Sequence, residues 1–597
     1  MSGHPASVDV WAPAARRVDL EITTPSGTAT VPMEPASGGW WSHRPGPDPA
    51  YPLDYAFRVD GGEPTPDPRS AWQPHGVHGP SRTFDAGAHP WRDGAWRGPR
   101  GGRGALGGVL YELHIGTFTP EGTLDAAVGR LDHLVDLGVD VVEVMPVAAF
   151  PGRWGWGYDG VHPYAVHDPY GGPAAMQRLV DACHQRGLGV CLDVVYNHLG
   201  PSGNYLARFG PYFTDAQVTP WGPAVNLAGE GSEQVRRWVI DNALRWFRDF
   251  HVDALRLDAV HELRDDSERH VLAQLSDETR SLAAQLGRPL DLIAESDLND
   301  PLMVTPTFEG GLGMSGQWAD DIHHALHAVL TGESHGYYAD FAGHGVLAKT
   351  LTEVFLHDGR WSSFRGRTWG APVDPSVHDA RAFLAYLQTH DQVGNRATGD
   401  RISASVPPGR QAAGAALYLL SAFTPMVFMG EEWAASTPWQ FFTDFDEPEL
   451  AEAVREGRRG EFASHGWDRL DVPDPQDPRT RERSVLDWGE AHRGEHARML
   501  AWYRSLVALR RSEPGLTDGR LDAVAVEADE GSGWVVMRHG RLRVVANLAD
   551  TPQMVPVAVP AAGSDVLLSW EAATPRPSGG GLRLGAHGVA VLRVLAG

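Results

Sequence analysis

Acidic side chains recur at the ends of successive apolar runs through the middle of this chain. The runs close as DVVYNH (193–198), RLD (256–258), ESD (295–297), ADD (319–321) and THD (389–391). An acid at the start of one loop reads equally well as a helix N-cap. Acids at five successive run ends exceed what capping needs. Asp258, Glu295 and Asp391 stand among histidines, without a nucleophilic serine or a clear metal-ligand cluster. That pattern favours carboxylate chemistry. Two carboxyl groups about 5–5.5 Å apart can cleave a glycosidic bond through a covalent glycosyl intermediate, with retained configuration. Neighbouring strands ending in Asp258 and Glu295 can supply that spacing. One acid must then be protonated, so Glu295 is expected to have a raised pKa and Asp258 to stay ionised. Arg256 lies two residues before Asp258 and so on the same side of a strand, where its charge would keep Asp258 anionic.

Sugar rings present C–H faces that stack on aromatics. Trp154, Trp156 and Tyr158 follow the second apolar run, and Trp318, Trp439, Phe441 and Phe442 follow later ones. With 21 tryptophans in the chain, core packing is the competing reading, and Trp154 and Trp156 are set slightly on the substrate side.

The elements that must position these groups follow from periodicity. Eight mostly apolar runs begin at about 109, 139, 187, 252, 290, 313, 383 and 423 and alternate with amphipathic helices. One helix carries Leu124, Ala127, Val128, Leu131 and Leu134 and stops at Gly138; others cover 173–187 and 233–250. Buried parallel strands read as continuous apolar runs, so eight strand–helix units predict an α/β fold, a (β/α)8 barrel with catalytic groups at the C-terminal strand ends. The larger insertions are 199–232, 325–380 and 433–490. Before the barrel, Val8 and Val10, then Val18, Leu20 and Ile22, then Tyr55, Phe57 and Val59 alternate with polar residues, with a turn at Asp60-Gly61. This predicts a β-sandwich over 1–97, and 98–108 (GPRGGRGALGG) reads as a linker opening the barrel region 98–515. Alternation returns over 516–597, predicting an antiparallel β domain.

The formal net charge of -25 repels phosphate backbones and anionic membranes and suits a neutral ligand such as a sugar. Cys183 and Cys191 imply no disulfide framework and read as packing residues. The first residues show no secretory signal and no run reaches membrane-span length, so a cytoplasmic location is expected.

Four of these segments, DVVYNH (193–198), ALRLDAVHEL (254–263), LIAESD (292–297) and QTHDQVGN (388–395), resemble, in order, the signature regions of the α-amylase superfamily. The resemblance implies Asp258 as nucleophile, Glu295 as proton donor and Asp391 as transition-state stabiliser. It also implies that Tyr158, His198, Arg256 and His390 line the reacting glucose, with His261, Gln392 and Asn395 near substrate. GVHGPS (76–81), GQWADDIHHAL (316–326), FMGEEW (428–433) and PWQFFTDF (438–445) resemble, more narrowly, the malto-oligosyltrehalose trehalohydrolase family. That family hydrolyses the α-1,4 bond next to a terminal trehalose unit. The likeness places Trp318, Asp320, Asp321, His323 and His324 at the substrate; a packing or capping role is the alternative for the histidines. It implies an oligosaccharide substrate and a partner enzyme that makes the terminal trehalose linkage. Some amylases of the superfamily hold calcium near the motif containing Asn197, but the insertion after the third run is short and offers no obvious oxygen cage, so no required metal and no cofactor are expected.

Two rival readings stand beside this one. An α-glucan branching enzyme shares the barrel and the acids but transfers to a sugar hydroxyl. A non-catalytic carbohydrate-binding barrel would be favoured by the loss of an acid, and all three are present.

Overall fold

The computed structural model describes residues 7–24, 27–44, 52–463, 472–558, 563–578 and 580–595. Its centre is a closed barrel of eight parallel strands. In chain order these are β1 (Leu110–Leu113), β2 (Val141–Val144), β3 (Gly189–Val194), β4 (Ala254–Leu257), β5 (Asp291–Ala294), β6 (Gly316–Trp318), β7 (Phe383–Tyr386) and β8 (Thr424–Phe428). β8 closes on β1 through Met426 opposite Leu110. Every expected barrel run contributes one strand.

The helices paired with the barrel strands are α1 (Leu131–Leu137), α2 (Gly172–Gln185), α3 (Ser232–Asp249), α4 (Val271–Leu286), α5 (Asp320–Thr331), α6 (Pro408–Leu419) and α7 (Gly494–Ser512). The expectation of eight strand–helix units fails between β5 and β6, where two short 3-10 turns, Pro301–Met303 and Thr307–Glu309, make the connection. The helix expected from Leu124 to Gly138 is also broken. A first piece, Leu124–Val128, is capped by the Thr123 hydroxyl, and α1 restarts at Leu131. Gly138 ends α1 in the left-handed region, as its position suggested.

Residues 98–108 do not form a linker. Ala105 is wholly buried with Leu110, Val141, Cys191 and Ala254 at the bottom of the barrel. Its N–H donates to Asp291 Oδ2 at 2.7 Å, and the Gly107 N–H donates to Thr424 Oγ1 at 2.7 Å. The glycines allow a tight fold-back that closes the lumen from below.

The N-terminal strands form a three-stranded and a four-stranded antiparallel sheet. Leu20 and Phe57 face each other across the larger sheet, both fully buried. These sheets lean on the barrel: Trp11 meets Tyr212 edge-on, and the Trp238 indole donates to Pro68 O. At the other end, a five-stranded antiparallel sheet (Val524–Asp529, Trp534–His539, Leu542–Asn547, Val589–Val594, Ser564–Ser569 in spatial order) carries a second, three-stranded sheet. It docks on α6 so closely that a Cβ at Gly409 would lie 2.3 Å from His587 O. No helix among the described residues is long and apolar enough to cross a membrane.

Candidate active site

The barrel lumen is layered. Its lower layer is apolar: Leu110, Val141, Cys191, Ala254, Ile293, Leu384 and Met426. One step towards the C-terminal strand ends, the pleat brings Glu112, Glu143, Asp193 and Arg256 inward instead. All four are buried to within 3 % of complete. Arg256 is the hub. Its Nη1 donates to Asp193 Oδ2 at 2.7 Å and to Asp258 Oδ1 at 2.9 Å, and its Nη2 lies 2.8 Å from Glu295 Oε2. Its guanidinium rests 4.4 Å above the Trp318 ring. Arg256 and Asp193 are register partners on adjacent strands, so the hub is built into the sheet itself.

Asp258 directly follows β4, and Ala259 after it sits at φ +37°, in the left-handed region. This costs about 1–3 kcal/mol for a non-glycine residue. It also aims the Ala259 N–H at Glu295 Oε2, 2.7 Å away. Asp391 opens the short helix His390–Gly394 across the pocket, its side chain 37 % exposed and its Oδ1 3.6 Å from His390 Nε2. The charge balance differs from expectation. Burial raises Glu295, but Arg256 and the Ala259 N–H outweigh it and hold its carboxyl below the ordinary range. Burial, then the Glu295 charge, pushes Asp258 well above it. These two directions, Glu295 down and Asp258 up, are opposite to the expected ones. Both acids lean on one cation, which reaches Glu295 with no competing carboxylate at Nη2.

The structure brings some expected residues into this pocket and takes others out. Tyr158 donates to Asp193 Oδ2 at 2.6 Å and stacks on His390. His198 has both ring nitrogens occupied, by Asn197 Nδ2 and Tyr158 O, each at 3.0 Å. Asp320 bonds the Tyr386 hydroxyl and Gln392 Nε2 and, raised by burial to about 7, changes charge near neutrality. His261 is half-buried near Asp297, and Asn395 is exposed beside Asp391.

Trp318, Asp321, His323 and His324 are placed elsewhere. Trp318 is 2 % exposed beneath Arg256, where it supports the guanidinium and has no open face for a sugar. Asp321 accepts from Leu356 N, His357 N and Asn299 Nδ2, tying the insertion after β6 to α5. Three donors let this acid be buried beside Asp320. His323 bridges Leu387 O and the Tyr338 hydroxyl. His324 packs against Tyr337, Tyr338 and Phe341. Trp154 is sandwiched under Arg481, and Trp156 stacks on the buried Trp439. These two build the wall and present no free platform.

Three residues around the pocket were missed. Glu112 and Glu143 interrupt apolar runs in LYEL and VVEV, and a charge inside a buried strand must have a reason. Trp221, from the insertion after β3, lies 51 % exposed and parallel to His198 at 4.3 Å. Only its hairpin position could have pointed to it.

The likeness to known proteins fits this geometry. The alpha amylase catalytic domain family matches residues 85–212, and the family described as DUF3459, a domain of unknown function, matches 519–591. A malto-oligosyltrehalose trehalohydrolase of Arthrobacter ramosus is 54 % identical over 591 residues, covering 98 % of this chain and 99 % of the relative. The chain belongs to the malto-oligosyltrehalose trehalohydrolases. A crystal structure described as that of a candidate alpha amylase from Salmonella typhimurium matches this trehalohydrolase-family fold with a TM-score of 0.87 and 37 % identity, over 98 % of this chain and 97 % of that one. A branching enzyme of Rubrobacter xylanophilus is 29 % identical over 362 residues, 53 % of this chain and 50 % of that enzyme. The rival reading rests on half a chain, whereas membership in the trehalohydrolase family spans nearly all of it.

Proposed function

We propose that the pocket above Arg256 hydrolyses the α-1,4-glucosidic bond next to the terminal trehalose unit of a malto-oligosyltrehalose, with retention of configuration. The observation that carries this reading is one buried guanidinium in contact with Asp193, Asp258 and Glu295 at 2.7–2.9 Å. Asp258 attacks the anomeric carbon, and the C–O bond to the trehalose oxygen breaks. Glu295 delivers the proton to that oxygen, so trehalose leaves neutral. Water, deprotonated by Glu295, then cleaves the glycosyl–Asp258 ester and frees the malto-oligosaccharide. Asp391 and Arg256 stabilise positive charge and hold geometry during both steps.

The first step needs Glu295 protonated and Asp258 ionised once substrate fills the pocket. Tyr158 and His390 contact the reacting glucose, His198 is held behind Tyr158, and Asp320 with Gln392 contacts the leaving trehalose. Trp221 offers its open ring face to a glucose. The same reading places a trehalose-linkage-forming enzyme upstream, the protein in the cytoplasm, and the chain in three domains over 1–97, 98–515 and 516–597.

Chromatography of products from maltotriosyltrehalose and from maltopentaose tests this. Trehalose from the first, with little glucose or maltose from the second, is expected. Equal cleavage of both would make the pocket a general amylase site, and longer or branched products would make it a transferase.

A further inference from the structure

β1 contributes one charged side chain to the lumen, Glu112, and the hydrolytic roles proposed above leave it unused. It is 1 % exposed and points at His390, also 1 % exposed. Its Oε1 lies 2.5 Å from His390 Nδ1, and its Oε2 accepts the His390 backbone N–H at 2.9 Å. An ionised carboxylate can only accept, so Nδ1 must carry the proton. The other ring nitrogen, Nε2, lies 2.8 Å from the Tyr158 hydroxyl. That hydroxyl also reaches Asp193 Oδ2, a second acceptor, and Asp193 Oδ2 takes Arg256 Nη1. Arg256 Nη1 in turn holds Asp258. If Nε2 also carries a proton, every bond in this chain has one direction: His390 donates to Glu112 and to Tyr158, Tyr158 donates to Asp193, and Arg256 donates to Asp193 and Asp258.

We infer that Glu112 is a positioning residue that keeps His390 as a doubly protonated donor and thereby fixes the polarity of the hydrogen-bond chain running from β1 through Tyr158 and Asp193 to the nucleophile Asp258. The charges facing His390 support this. Burial, the largest influence, works against the imidazolium, but Glu112 and then Asp391 outweigh it and raise His390 to about 9. Asp193, Glu143 and Glu295 also feel its charge, while Arg256 opposes it; the neighbouring His114 is held neutral by burial, its pKa lowered to about 3. Removing Glu112 leaves burial and Arg256 to favour neutral imidazole, with Asp391 opposing them. A neutral Nε2 could then accept from Tyr158, whose hydroxyl would turn away from Asp193 and leave that acid to Arg256 alone. The nucleophile would be affected through four intervening groups, His390, Tyr158, Asp193 and Arg256, without Glu112 touching substrate.

The inference rests on reading the pocket as the hydrolytic site, so its decisive measurement uses no substrate. Nitrogen-15 NMR of histidine-labelled protein, with His390 assigned by comparison with His390→Asn, follows the ring through pH. Both nitrogens are expected to stay protonated to about pH 9 in the wild type. A midpoint near the ordinary histidine value of about 6.5 would overturn the proposal whatever the variants do. In Glu112→Gln the midpoint should fall by about one to three pH units. The alkaline limb of kcat/KM for maltotriosyltrehalose should fall with it, and kcat should drop more than KM changes. Glu112→Asp, which keeps the charge, should retain the wild-type alkaline limb even where kcat is lower. An unshifted limb in folded Glu112→Gln would overturn the polarity argument, while loss of trehalose release in the wild type would instead overturn the proposed function.

Discussion

Two buried charge networks sit at opposite ends of the same barrel, and they are built in opposite ways. At the N-terminal end, Asp253 Oδ1 accepts from the Trp96 indole and from Arg288, each at 2.8 Å. Its Oδ2 takes the Val190 N–H and His184 Nε2, each at 3.0 Å. His184 Nδ1 and His251 Nδ1 both reach Asp93 Oδ2. Cations and donors here match the acids. At the C-terminal end one buried guanidinium serves three acids, Asp193, Asp258 and Glu295. Three acids on one buried cation are a costly arrangement for a network that only holds the barrel together. The lower network reads as stability and the upper one as chemistry, in keeping with the two faces of such barrels.

Substitutions at the two ends should therefore separate rate from stability. The largest effect is expected from Asp258→Asn, which removes the attacking oxygen. Trehalose release should fall by roughly 10^4-fold or more. The unfolding midpoint should change little, since the amide fills the same space and its oxygen can still accept from Arg256. Retention of a tenth of the activity would remove Asp258 from its role. Asp253→Asn should do the reverse. Stranding buried Arg288 and His184 should cost about 3–5 kcal/mol in urea unfolding. Trehalose release per folded molecule should stay at the wild-type level. A catalytic defect in this variant, with stability intact, would dissolve the distinction between the two ends.

Asp320 and Asp321 sharpen the same comparison within two residues. Asp320 faces the pocket and changes charge near pH 7, so Asp320→Asn should flatten the pH dependence of KM for maltotriosyltrehalose around neutrality. Asp321→Asn exchanges one acceptor oxygen for an amide facing backbone donors. It should cost about 1–3 kcal/mol of stability and leave that pH dependence in place. Matching pH profiles in the two variants would contradict their different placement.

The smallest effect is the pH dependence of the lower network. Asp93 is held below the ordinary carboxylate range; burial opposes this, but His184 and His251 outweigh it. That contribution is present above the unfolded value of about 3.9 and is lost as pH falls through the folded one. His184 is raised: burial opposes, but Asp253 and Asp93 outweigh it. Its contribution is full below about 6.5 and is lost as pH rises through the folded value. The network should thus stabilise most between about pH 4 and 6.5. The wild type and Asp253→Asn should differ most in urea midpoint there, and a difference that grows above pH 8 would contradict the assigned signs.

The sequence carried the barrel because buried parallel strands leave unbroken apolar runs, and it carried the pocket because acids cluster at run ends. What it could not carry depends on contacts distant in the chain. Asp320 and Asp321 look alike until the backbone of 356–357 arrives to satisfy one of them. Residues 98–108 have the composition of a linker, yet Ala105 fills the barrel floor because Asp291 takes its N–H and Thr424 takes that of Gly107. Trp318 and Trp156 read as sugar platforms until Arg256 and Trp439 cover them. The lowering of Glu295 follows from Arg256 and then from the N–H of Ala259, a left-handed alanine that no local pattern announces. Glu112 was legible as an anomaly in LYEL, but its partner lies 278 residues away.

The most direct test of an Asp258 nucleophile is proton NMR of the first anomer released from maltotriosyltrehalose, recorded before mutarotation. A covalent intermediate on Asp258 gives the α-anomer of the malto-oligosaccharide first. Initial release of the β-anomer would mean that water attacks directly, and Asp258 would be a base and not the nucleophile.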